Sequence, residues 1–107
     1  MDRFTALADP TRRAILELLA RRGELPAGDI AAQFAMSAPA VSQHLKVLRE
    51  AGLVRVERRA QQRIYRLNPE AMRDVEEWAG RLRRVWERRL DALDAFLRSE
   101  GEGNGPG

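Results

Sequence analysis

Ser37-Ala38-Pro39-Ala40-Val41-Ser42-Gln43-His44-Leu45-Lys46-Val47-Leu48-Arg49-Glu50-Ala51-Gly52-Leu53 reads as a helix with both ends marked. Ser37 is suited to the N-cap, where its hydroxyl takes an unpaired amide proton of the first turn. Pro39 falls inside that turn, where a missing N–H costs nothing. Gly52 stands where a helix stops, because glycine takes the left-handed C′ geometry without a clash. Val41, Leu45 and Leu48 recur at helical spacing, with Leu53 just past the stop, and form one apolar stripe. The other face carries Ser42, Gln43, Lys46 and Arg49, with Ser37 and Pro39 at its leading end. Such side chains suit a major groove, where donors and acceptors on base edges are read. They suit a plain solvated helix equally well, so the flanking sequence has to choose.

Downstream of Gly52 the period changes. Leu53-Val54-Arg55-Val56-Glu57-Arg58 alternates apolar with charged residues, and Arg63-Ile64-Tyr65-Arg66-Leu67 does the same, as half-buried strands do. Arg59-Ala60-Gln61-Gln62 between them is a connector of hairpin length without an Asn-Gly or Asp-Gly turn. A hairpin directly after a reading helix is a wing, whose basic tip can follow phosphates or the minor groove. Upstream, Asp29 to Ala35 reads as a helix with Ile30, Ala31 and Phe34 inward. Met36-Ser37 is then a tight turn, and the pair makes a helix-turn-helix. Glu24 to Gly28 reads as a connector. Asp9-Pro10-Thr11 starts an earlier helix, capped by Asp9 and stopped by Gly23, with Ala14, Ile15, Leu18 and Leu19 buried. Arg12 and Arg13 read as its solvated face, or as reaching a phosphate. Residues 1–8 suggest a short helix with Phe4 and Leu7 inward.

Asn68-Pro69 opens a last helix running to about Arg98. Met72, Val75, Trp78, Ala79, Leu82, Val85, Trp86, Leu90, Leu93, Phe96 and Leu97 recur every three or four residues. A stripe so long and wide suggests helix pairing between two copies. The expectation is thus a mainly α chain with a small β-hairpin. It would form a winged helix-turn-helix with a long C-terminal dimerisation helix, one domain over residues 1–98 and a flexible tail over 99–107.

Composition narrows the function. The 107 residues are 44% apolar, enough for a packed core in one small domain. No cysteine is present, which excludes disulfides and thiolate chemistry and fits a cytoplasmic protein. No apolar run approaches the roughly 18 residues of a membrane span. Net charge is +3, but Ser37 to Arg66 holds seven basic residues against two acidic ones. That concentration around the reading helix is the footprint of a phosphate-binding surface. The carboxylates of the last helix form no facing pair, and no phosphate loop or nucleophile elbow occurs, so no enzyme is expected.

Taken together, these stretches resemble the ArsR-type winged helix-turn-helix repressors. The residues carrying the likeness are Leu7-Ala8-Asp9-Pro10-Thr11-Arg12-Arg13-Ala14-Ile15-Leu16, the run Ser37 to Val54, and Arg63-Ile64-Tyr65-Arg66-Leu67. The resemblance implies a dimeric repressor on operator DNA, paired through its first and last helices. Relatives that sense metals use a Cys-x-Cys pair before the turn, where this chain has Gln33-Phe34-Ala35. Others use Asp and His on the last helix, where this chain has Asp74, Glu76 and Glu77 but no histidine. Soft ions need sulfur or imidazole, so neither a metal nor any other cofactor is expected.

The candidate DNA contacts follow. Gln43 is the base reader, since an amide can pair bidentately with adenine. Ser37 and Ser42 bond a base or a phosphate, Lys46 bonds a phosphate, and Pro39 leads the helix in. Arg58, Arg59, Gln62 and Arg63 form the wing tip. His44, at the edge of the stripe, is structural or a phosphate contact. Tyr65 packs on the reading helix or reaches a phosphate. Phe4, Leu7, Val75, Trp78, Leu82, Val85, Trp86, Leu90 and Leu93 are the candidate dimer contacts. Double-stranded DNA and a second copy are the expected partners. A wing used only for protein contact, and a small effector between terminal helices, are the competing readings.

Overall fold

In a computed structural model, residues 2–103 are described. The elements are α1 (Arg3–Ala6), α2 (Pro10–Arg22), β1 (Glu24–Pro26), α3 (Ala27–Ala32), α4 (Ala38–Glu50), β2 (Val54–Arg59), β3 (Gln62–Leu67) and α5 (Pro69–Gly103). They divide into two units, one ending at Met72 and one beginning at Arg73.

In the first unit the caps expected at Asp9 and Ser37 form, and Asp2 caps α1 as well. Asp2 accepts from the Thr5 amide at 2.8 Å, Asp9 from Arg12 at 2.9 Å and Ser37 from Ala40 at 3.2 Å. Each satisfies an amide that the helix itself cannot. The end of α4 closes as a Schellman motif around Gly52, whose φ is 74°. Leu53 N–H donates to the Leu48 carbonyl at 3.0 Å, and Gly52 N–H to Arg49 at 3.0 Å. Leu48 and Leu53 are both fully buried, which gives the motif its hydrophobic contact. Asn68 then ties the start of α5 to this corner, donating from its side chain to the Gly52 carbonyl at 2.8 Å.

The core is one apolar cluster. Ile15 and Leu19 of α2, Ile30 of α3, Val41, Leu45 and Leu48 of α4, and Leu53 are essentially excluded from solvent. Burial of each such side chain stabilises by about 1.5–3 kcal/mol. The helices pack against an antiparallel sheet of order β1-β3-β2, where the expectation was a hairpin alone. Glu24, Leu25 and Pro26 pair with Arg66, Tyr65 and Ile64. Three residues are too few to show an alternation, and Pro26 is tolerated because β1 is an edge strand.

Other boundaries shift as well. Helix α3 starts and ends earlier than the expected Asp29 to Ala35, and Phe34 lies half-buried beyond its end. Helix α1 buries Ala6 rather than Phe4, which is 45% exposed, while Leu7 is half-buried. A single turn can cover only one side chain fully, and the smallest one sits against the neighbouring helix. Helix α5 runs past Arg98 to Gly103, so residues 99–103, expected in the tail, are helical. Residues 104–107 of that tail lie outside the described residues.

The hairpin turn is tighter than the four-residue connector predicted. Arg59 pairs with Gln62, which leaves Ala60 and Gln61 as a two-residue loop. Ala60 takes φ 52°, the left-handed region that disfavours a Cβ. Relief of that strain outweighs the extra freedom glycine gives the unfolded chain. Ala60→Gly is therefore expected to stabilise the fold by about 0.5–1 kcal/mol. A higher urea midpoint at unchanged slope would show it, and a lower midpoint would contradict the strain.

Candidate nucleic-acid interface

The amphipathic pattern of α4 settles which face is offered to a partner. With Val41, Leu45 and Leu48 buried, Ser42, Gln43, Lys46 and Arg49 are turned outward and exposed. Ser37 and Pro39 are exposed at the leading end of the helix. A groove along this face is lined by Pro39, Ser42, Gln43, Lys46, Arg49, Arg63 and Tyr65. It therefore joins the helix to the wing. Arg49 belongs to this groove although the candidate contacts above omit it. The signal was available, because positions 42, 46 and 49 share one helical stripe. Tyr65 is 5% exposed, so it supports the helix from beneath.

The wing divides by the two-residue repeat of its strands. Arg58 and Arg63 are direct cross-strand partners, in step with the Val56–Tyr65 pair. They share the face that leads to the groove. Two like charges placed directly opposite are unfavourable for the sheet. A polyanion laid across them removes that penalty. Arg59 and Gln62 pair on the opposite face. There the Arg59 guanidinium holds the Glu24 carboxylate with two contacts, at 2.6 and 3.1 Å, and Glu57 at 2.9 Å. These hydrogen bonds lower the Glu24 pKa from its ordinary value and raise that of Arg59. The Arg59 charge is thus already balanced by two carboxylates, unlike a cation held ready for phosphate.

His44 faces away from the groove. Its Nδ1 lies 3.4 Å from Arg12 Nη1 and 3.8 Å from Asp9 Oδ2 on the first turn of α2. Asp9 has a lowered pKa, chiefly because it accepts the Arg12 amide. Arg12 is half-buried rather than solvated, while Arg13 stays exposed as expected. Arg12 Nε donates to the Ala6 carbonyl and Arg13 Nη1 to the Leu7 carbonyl, each at 2.7 Å. Both supply partners for the end of α1, which is too short to satisfy its own carbonyls.

In the second unit, α5 exposes a continuous apolar stripe. Trp78, Leu82, Val85, Trp86, Leu90, Leu93, Phe96 and Leu97 are each between 44% and 59% exposed. Val75 is half-buried. So long an apolar surface is unusual unless another molecule covers it. No described helix is long and apolar enough to cross a membrane. Among the described residues no group of three or more His, Asp or Glu side chains is placed to hold a metal ion.

Known proteins resemble this chain in sequence and fold. Residues 7–57 match a family model described as a helix-turn-helix domain. An HTH-type transcriptional regulator of Mycobacterium tuberculosis is 43% identical over 99 residues, covering 92% of this chain and 89% of that protein. The transcriptional repressor SdpR of Bacillus subtilis is 43% identical over 75 residues, 70% of this chain and 82% of the repressor. Among solved structures, an ArsR family transcriptional regulator superposes with a TM-score of 0.68 at 34% identity. That match covers 78% of this chain and 86% of the other. The homodimeric winged helix-turn-helix DNA-binding domain of a possible ArsR-family regulator from Mycobacterium bovis has a TM-score of 0.58 at 32% identity. It covers 80% of this chain and 76% of the fragment.

Proposed function

This chain belongs to the ArsR-type helix-turn-helix transcriptional regulators, and we propose that it works as a homodimeric repressor of transcription. Each copy sets α4 into a major groove and lays its wing on the neighbouring backbone. Two copies pair through the α5 stripe and α1, and so read an inverted repeat with half-sites about one helical turn apart. The observation that carries this reading is the groove shared by α4 and β3, where Gln43, Lys46, Arg49 and Arg63 meet. Gln43 offers a bidentate amide to a base edge, while Lys46, Arg49, Arg58 and Arg63 meet phosphates. Ser37, Ser42 and Pro39 fit the helix tip to the groove wall. The protein acts in the cytoplasm as a DNA-binding partner, without catalysis of its own. A basic surface of this kind argues against a wing that serves protein contact alone.

Salt dependence tests the assignment of cations. Each phosphate contact releases counterions, so losing one flattens the plot of log K against log salt by about 0.9. Arg63→Ala removes one such contact from each copy and is expected to flatten the plot by about 1.8. Arg59→Ala is expected to show less than half of that flattening, because Glu24 and Glu57 already occupy its guanidinium. Equal flattening in the two variants would contradict the division of the wing into two faces. A binding constant indifferent to salt in the unmodified protein would contradict DNA binding through this surface.

A further inference from the structure

Arg12 makes contacts that the α2 cap does not require. Its Nε donates to the Ala6 carbonyl at 2.7 Å, Nη2 to the Thr5 carbonyl at 3.5 Å, and Nη1 lies 3.4 Å from His44 Nδ1. One rigid, planar fork thus touches the last turn of α1 and the middle of α4 from a base on α2. Arginine only donates, so this contact is a hydrogen bond in the tautomer whose Nδ1 accepts. Asp9 Oδ2 is 3.8 Å from the same nitrogen and also accepts the Arg12 amide at 2.9 Å, which holds the base of the fork. His44 is the single polar side chain of α4 turned toward α2 rather than outward.

We propose that Arg12 and His44 are positioning residues for sequence reading: together they fix the pitch of α4 against α1. This rests on the reading of α4 as the helix that enters the groove. Bidentate base contacts fail when side chains stray more than about 0.5 Å from their productive place. A helix anchored only by apolar packing can rock on its stripe, whereas a fork tied to a neighbouring backbone resists that rocking. Because α1 also carries the exposed Phe4, the same strut links the pairing surface to the reading surface.

The test uses the full-length protein and two probes: a duplex selected by the wild type from a random pool, and a scrambled duplex of equal length and composition. The readout is the ratio of the two affinities at one salt concentration. His44→Leu keeps the helix but removes the acceptor, and is expected to lower the ratio by roughly tenfold or more. Arg12→Lys, which keeps charge without the fork, is expected to do the same. His44→Asn offers Oδ1 close to where Nδ1 stands and is expected to stay within about threefold of wild type. A merely structural role would lower both affinities together with the melting temperature and leave the ratio alone. That result, or an Asn variant as poor as the Leu variant, overturns the proposal. If Arg12→Lys proves too unstable to measure, the two His44 variants decide by the same criterion. A wild type with no preference between the probes overturns the reading-helix assignment first, and the strut with it.

Discussion

Leu82→Glu combined with Leu90→Glu turns the protein into a monomer that no longer holds its operator. Both leucines lie on the α5 stripe and are about half exposed in the single copy, at 54% and 45%. In a symmetric pair each substitution occurs twice, so four apolar side chains leave the interface and four carboxylates enter it. Losing about 1.5 kcal/mol of burial at each position alone weakens pairing by 10³-fold or more. The charges add to that, since an unpaired carboxylate resists leaving water. DNA affinity falls as a consequence, because joining two half-site readers is worth about 10²–10⁴ in affinity. Sedimentation velocity reads the pairing, and a gel shift reads the DNA. Trp78 and Trp86 are retained as fluorescent reporters, and their emission should move to the red as they are bared. A variant that still sediments as a dimer would show that the stripe is not where two copies meet. A monomer with undiminished DNA affinity would show that pairing is irrelevant to reading.

Gln43→Ala is expected to cost about 1–3 kcal/mol per half-site on the selected sequence and almost nothing on a scrambled one. The residue is exposed, stands on the outward face of α4 and lines the groove that reaches Arg63. Alanine removes both the donor and the acceptor of the amide while keeping the helix, so stability should not change. The discrimination should disappear at one position of each half-site and survive at the others. Competition gel shifts with single-base variants of the selected duplex measure this directly. Uniform weakening across all sequences would make Gln43 a backbone contact and move the reading role elsewhere on α4.

The parts of this molecule set by neighbouring residues could be read from the chain. Ser37, Asp9 and Gly52 mark helix ends because a cap is a contact over three to five residues. The stripe of Val41, Leu45 and Leu48 identifies the inward face of α4, and so the outward one. What escaped depends on long sequence separations. Arg59 meets Glu24 across 35 residues and Arg12 meets His44 across 32. No local pattern distinguishes such an arginine from one left free for phosphate. Strand β1 escaped for the same reason, since its partner Tyr65 lies far along the chain and three residues carry no period. Helix α5 runs beyond the expected end near Arg98, through Gly101 to Gly103. A helix already formed extends at a cost of only about 1 kcal/mol per glycine, so one glycine does not end it.

Selection of DNA by the purified protein from a random duplex pool tests the whole account most directly. The predicted result is an inverted repeat with centres about 10–11 base pairs apart, enriched by the wild type and lost by the Leu82/Leu90 variant. Enrichment of no sequence at all, or of a lone half-site bound equally well by the monomeric variant, would contradict it.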